Sequence, residues 1–179
     1  MIVQILNYLA ASHLLASEPA QWSAIVILDS RGTATDFVAQ TSVEHLILRF
    51  DDITTPSSGK QMADPRSLRA ALDFAVGKDK LIVSCRAGQS RSAALAHAIC
   101  FQNNGADAAN QLLIPARHQP NRFIIEAVAE LIDDPTYLST FDAWSNQYGD
   151  IKLMDHIDEI EAEFDALEAL GARNLITAT

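Results

Sequence analysis

Short apolar runs alternate with helically spaced stretches through the first hundred residues, and helical spacing fills the rest. Residues 2–6, 24–28 (AIVIL), 45–50 and 80–83 are too short for helices and are expected to be strands, with 24–28 and 80–83 buried on both faces. Residues 8–16 place Leu9, His13 and Leu14 at helical spacing. Asp64-Pro65 is a helix start, because the carboxylate caps free N–H groups and proline suits the first helical position. That helix runs through Leu68, Leu72 and Phe74 towards Gly77. Residues 90–101 are alanine-rich and apolar all round, which predicts a central helix ended by Asn103, Asn104 and Gly105. Helices follow at 106–113, 122–132, 135–147 and 155–170, and residues 53–63 form a loop rich in Thr, Ser, Pro and Gly. Strands alternating with helices, then helices alone, predict an α/β domain. Its mainly parallel central sheet is flanked by helices, with a helical C-terminal part.

Charge divides the chain. The net charge is −10, and residues 150–170 carry −7 of it, eight acids against the single base Lys152. Such a balance excludes general nucleic-acid affinity. The remaining body is close to neutral and can hold a local anion pocket. Residues 1–150 are expected to form the α/β domain, and 151–179 an acidic amphipathic helix and tail packed on it. Ile157, Ile160, Phe164 and Leu167 fall on one face of that helix. Packing on its own domain is one reading of the stripe, and a homodimer contact is the other. Its acidity disfavours anionic membranes. The apolar start MIVQILNYLAASHLLA has no basic residue before Arg31, so a signal peptide is not expected, and no run reaches membrane-spanning length. The expected location is the cytoplasm, where Cys85 and Cys100 stay free thiols. About ten helical residues between the two place them roughly 15 Å apart, beyond the ~7 Å reach of a disulfide.

The stretch SCRAGQSRS, residues 84–92, fits neither a core nor an ordinary loop. It lies between an apolar strand and a helix, where a parallel sheet binds ligands. The helix start offers unpaired N–H donors, Gly88 lets the backbone curl closely, and Arg91 adds a fork matched to phosphate oxygens. A thiol at the base of such a cradle falls from about 8.5 to roughly 3.5–7.5. Cys85 is therefore a candidate thiolate nucleophile. Ser92 is positioned to donate to the sulfur when it leaves.

CRAGQSRS resembles the signature of the cysteine-dependent protein tyrosine phosphatases, HCxxGxxR followed by Ser or Thr. The likeness is to the compact dual-specificity type and to small bacterial-type phosphatases. Cys85, Gly88, Arg91 and Ser92 match, and Ser84 stands where the family has His. A serine hydroxyl at 84 is expected to supply hydrogen bonds in its place. The resemblance implies a phosphotyrosine-phosphatase-like fold and a loop, Arg86, Ala87, Gly88, Gln89 and Ser90, that binds the substrate phosphate. It also implies a general acid about thirty residues upstream. RFDDITTPSSG offers Asp51 and Asp52, and by resemblance Asp52, 33 positions before Cys85, is preferred. HQPNRF resembles the segment whose Asn braces the phosphate loop, so Asn121 is a supporting residue, with a helix N-cap as its other reading.

The expected function is hydrolysis of phosphomonoesters, on a phosphorylated protein or a small molecule, through a phosphocysteine. No cofactor or metal is called for. A pseudophosphatase that binds phosphorylated ligands without turnover is the alternative, motivated by Ser84. A rhodanese-type sulfurtransferase has no use for Arg91 with an upstream acid. His97, on the apolar helix, reads as a satisfied core histidine.

Overall fold

The computed structural model describes residues 1–178. Strands β1 (Ile2–Asn7), β2 (Ser23–Leu28), β3 (His45–Arg49) and β4 (Lys80–Cys85) form one all-parallel sheet in the order β1-β4-β2-β3. Parallel neighbours cannot be joined by a tight turn, so the crossovers carry helices. These are α1 (Tyr8–Ser17), α2 (Phe37–Thr41) and α3 (Pro65–Ala75). After β4 come α4 (Arg91–Asn104), α5 (Ala106–Leu112), α6 (Arg122–Ala129), α7 (Thr136–Tyr148), a 3₁₀ turn at Leu153–His156 and α8 (Ile157–Ala169).

The strand order positions the site. The chain passes from β1 to β2 and leaves between them a slot that β4 fills later. All four carboxyl ends therefore emerge at one edge. The register sets Cys85 opposite both Asn7 and Ile27, and Leu28 opposite Arg49. The segments after β1, β2, β3 and β4 thus issue side by side, as at the ligand-binding edge of open α/β sheets.

Both faces of the sheet are covered. Ile25, Ile27, Leu81 and Val83 pack under α3, α4 and α6. Ala24, Val26, Leu28 and Ile82 pack against Tyr8 and Leu15 of α1, with Val38 and Ile176. A fully buried Leu or Ile contributes about 1.5–3 kcal/mol. Helix α4 is buried from Arg91 through Phe101, in keeping with its lack of a polar face. Asp64 accepts from the N–H groups of Arg66 and Ser67, both at 3.0 Å, and caps α3 ahead of Pro65.

Several boundaries depart from the expected ones. β4 runs two residues past Val83, because its ladders with β1 and β2 continue to Cys85. The short α2 was not expected, since five residues give too little periodicity to read. The single helix expected at 155–170 is split, with the 3₁₀ turn standing before α8. The tail is stitched to the body. Ile176 O accepts from Thr35 N at 2.9 Å, Ala178 N donates to Thr33 O at 3.1 Å, and Leu175 N donates to Ser12 Oγ at 3.0 Å. Glu163 of α8 pairs with Arg117. No helix among the described residues is long and apolar enough to cross a membrane.

His97 is fully buried. Its Nε2 lies 3.1 Å from Asn110 Oδ1, and its ring sits among Tyr137 and Phe141. Burial pulls its pKa down to about 4, and does the same to His118. Both are neutral when folded, whereas the unfolded chain takes up these protons near pH 6.5. Their full share of stability is present above pH 6.5 and is lost as pH falls towards 4. We expect the melting temperature to fall through that window, and His97→Gln, which keeps a donor for Asn110, to flatten the fall. Thermal unfolding from pH 7.5 to 4 checks this, and an unchanged slope refutes it.

Candidate active site

The five residues between β4 and α4 form the loop. Gly88 has φ +70°, and a Cβ there would lie 2.5 Å from Asn7 N and 2.7 Å from Leu6 C. No side chain fits, because the back of the loop rests on the β1–α1 junction. The demand for glycine thus comes from behind the loop and not from its ligand side. Cys85 Sγ and Ser92 Oγ are 3.1 Å apart and almost fully buried. Ser90, at the N-cap of α4, makes no side-chain cap bond, so the first-turn N–H groups keep their donor capacity.

Arg91 is held at one end of its guanidinium. Nη1 donates to Phe50 O at 2.7 Å and forms an ion pair with Asp29 Oδ1 at 2.8 Å. Its Nε is buried and has no partner. A buried charged donor left unmatched is costly. Nε is thus a guanidinium donor that the protein itself leaves without an acceptor. Asp29 was missed in the sequence. It directly follows the buried strand β2, so its place at the carboxyl edge was legible once AIVIL was read as parallel.

The two neighbouring aspartates behave oppositely. Asp51 accepts from Ser30 Oγ at 2.6 Å, from Gln61 N at 2.8 Å and from Ser30 N at 3.3 Å. The Ser30 hydroxyl first, then the Gln61 amide, holds its carboxyl down at about 2. Asp51 therefore staples the 51–61 loop to the end of β2. Asp52 is exposed, and its Oδ1 accepts from Ser90 Oγ and Asn121 Nδ2, each at 2.8 Å. Asn121 makes two further contacts. Its Oδ1 caps α6 through Ile124 N at 3.2 Å, while its backbone N donates to Ser90 O at 3.3 Å. Gln119 N donates to Gln89 O at 3.0 Å, so the 119–121 segment braces the loop twice.

A cavity of about 300 Å³ opens above Cys85. Asp52, Cys85, Arg86, Ala87, Gln89, Ser90 and Arg91 line it, as do Asp29, Asp51 and Lys60. Gly88, Ser84 and Asn121 are not on that wall. Lys60 sits in the Ser- and Thr-rich loop, where no local pattern distinguishes it. Three carboxylates face three cations, so the lining carries no net charge. Among the described residues no three His, Cys, Asp or Glu gather as a metal cage.

Ser84 corrects an expectation. Its hydroxyl is fully buried and has no hydrogen-bond partner. Side chains alternate along a strand. Ser84 therefore points away from the face that carries Cys85, and its cross-strand neighbours are Leu6 and Val26, which offer no polar side chain.

No protein-family model matches the chain, and no curated protein matches it. Solved structures do. Human DUSP28 is 21% identical, with a TM-score of 0.50, over 79% of this chain and 94% of that one. Tk-PTP in its active form is 17% identical, with a TM-score of 0.40, over 80% and 90%. PTPMT1 in complex with PI(5)P is 16% identical, with a TM-score of 0.41, over 83% and 92%. The likeness to DUSP28 is one of fold. The chain shares its α/β fold with DUSP28, a parallel sheet flanked by helices with a helical C-terminal part.

Proposed function

We propose that the chain is a phosphomonoester hydrolase that works through a phosphocysteine on Cys85. The observation that carries this reading is the meeting of Cys85, Asp52 and Arg91 at one cavity. The Cys85 thiolate attacks phosphorus as the ester P–O bond breaks, and Asp52 gives its proton to the departing oxygen. Water then attacks the phosphocysteine, Asp52 takes a proton from it, and the P–S bond breaks to release phosphate. Ser92, 3.1 Å from Sγ, stabilises the returning thiolate. The loop N–H groups and Arg91 hold the equatorial oxygens, where the charge of the transition state lies. Asn121 and Ser90 hold Asp52 over the cavity.

The resemblance at the loop extends the reading to phosphotyrosine, with phosphoserine and phosphothreonine as further substrates of a permissive cavity. The test is hydrolysis of para-nitrophenyl phosphate from pH 5 to 8 in the presence of EDTA. Turnover that persists in the chelator is the expected result. A phosphate-reading module without turnover is the second reading, favoured by the orphaned hydroxyl of Ser84 where phosphatases of this type carry His. A folded protein that binds vanadate and turns nothing over would select it.

A further inference from the structure

A second cavity, of about 440 Å³, adjoins the first and shares Arg86 and Ala87 of the phosphate loop with it. Its floor is Tyr8 and Leu9, and its far wall is Phe164 and Glu168 of α8 with Ala172, Arg173 and Asn174 of the tail. The volume lies within the range of about 300–1,000 Å³ usual for ligand sites. The far wall is part of the fold. Ala172 and Ile176 are buried, and the hydrogen bonds of Thr35, Leu175 and Ala178 fix the segment that follows Arg173. The Tyr8 hydroxyl donates to Ile27 O at 2.7 Å, so the floor is also held.

The charges in this groove are unspent. Arg86 is exposed and pairs with no carboxylate among the described residues. The Arg173 guanidinium donates only to the backbone O of Ala172, at 2.7 Å. Glu168 stands on the same wall, which leaves a net charge of one positive in a chain of net −10. Arg122 and Arg117, in contrast, are taken up by Asp142, Glu126 and Glu163. Two guanidiniums beside the ring of Phe164 and the side chain of Leu9 suit an anion carried next to an apolar stretch.

Resting on the phosphatase reading above, we propose that this groove binds the segment flanking the phosphorylated residue of a peptide substrate and recognises a second anion there. The second anion is a carboxylate or a further phosphoryl group. Arg173, from the C-terminal tail, is the residue that selects it, so the C-terminal segment is part of the substrate site.

The test uses Cys85→Ser protein and fluorescent phosphotyrosyl peptides. One Glu, or one phosphoserine, is moved from three positions before the phosphotyrosine to three after it, with alanine elsewhere. Fluorescence anisotropy gives each Kd. At one or two positions the second anion is expected to tighten binding about tenfold, as a charge-assisted bond does. Glu and phosphoserine arms show which anion is preferred. Adding Arg173→Ala should bring that ratio close to one, Arg173→Lys should keep part of it, and Arg173→Glu should reverse it. A flat profile, or a preference that Arg173 substitutions leave unchanged, overturns the inference. Vanadate titration of the protein with Cys85 intact separates the two failures. Vanadate bound with no peptide bound overturns the groove alone, and neither bound overturns the phosphatase reading with it.

Discussion

Cys85→Ser is expected to lower para-nitrophenyl phosphate turnover by about a thousandfold or more while vanadate still binds. The substitution exchanges a sulfur nucleophile for a hydroxyl with no base beside it. Ser92 is the only side chain within hydrogen-bond reach of Sγ among the described residues, and a serine does not deprotonate another hydroxyl. The cradle should survive. Arg91 is anchored by Phe50 O and Asp29, Gly88 rests on Asn7, and none of these contacts involves sulfur. Activity should therefore vanish without loss of the anion site. Turnover that persists in the variant would remove Cys85 from the mechanism. Loss of vanadate binding together with turnover would mean instead that the sulfur holds the loop together.

Much of the fold was legible because the strands are short, apolar and bounded. AIVIL and the LIV run at 81–83 carry no polar residue, as suits strands covered on both faces. Asp64-Pro65 marked a helix start by chemistry that needs no partner from elsewhere in the chain. The loop residues were legible for a related reason: Cys85, Gly88, Arg91 and Ser92 meet through local geometry, a strand end turning into a helix. The remainder depends on contacts distant in sequence. Asp29 reaches Arg91 across 62 positions only because β4 inserts beside β2. Ser84 reads as polar and adjacent to the nucleophile, yet strand alternation sends it to the other face. The tail matches no motif, and its place beside Arg86 follows from the bonds of Thr35 and Ser12 to residues 175–176. An isolated reading of Arg173 had nothing to place it against the phosphate loop.

The two aspartates of FDD are separable by their partners, and this leads to the second large effect. Asp52→Asn should slow hydrolysis of an alkyl phosphate by about a hundredfold or more, the usual worth of a general acid. It should slow para-nitrophenyl phosphate far less, because nitrophenolate leaves without needing a proton. Asparagine keeps an oxygen for Ser90 Oγ and Asn121 Nδ2, so the loop should hold its position and the loss should report proton transfer. Asp51→Asn should act differently. Its carboxylate takes three donors from Ser30 and Gln61 and is held at about 2, so it stays ionised across the working pH range and has no proton to give. Replacing it leaves one acceptor oxygen where there were two and loosens the loop that carries Asp52. The expected result is a lower melting temperature with similar fractional losses on both substrates. Stability should also lose its dependence on pH between about 4 and 2, where the folded carboxylate now resists protonation. Comparing kcat/KM for the two substrates in each variant decides between the residues. A leaving-group-dependent loss in Asp51→Asn, and an even one in Asp52→Asn, would exchange their roles.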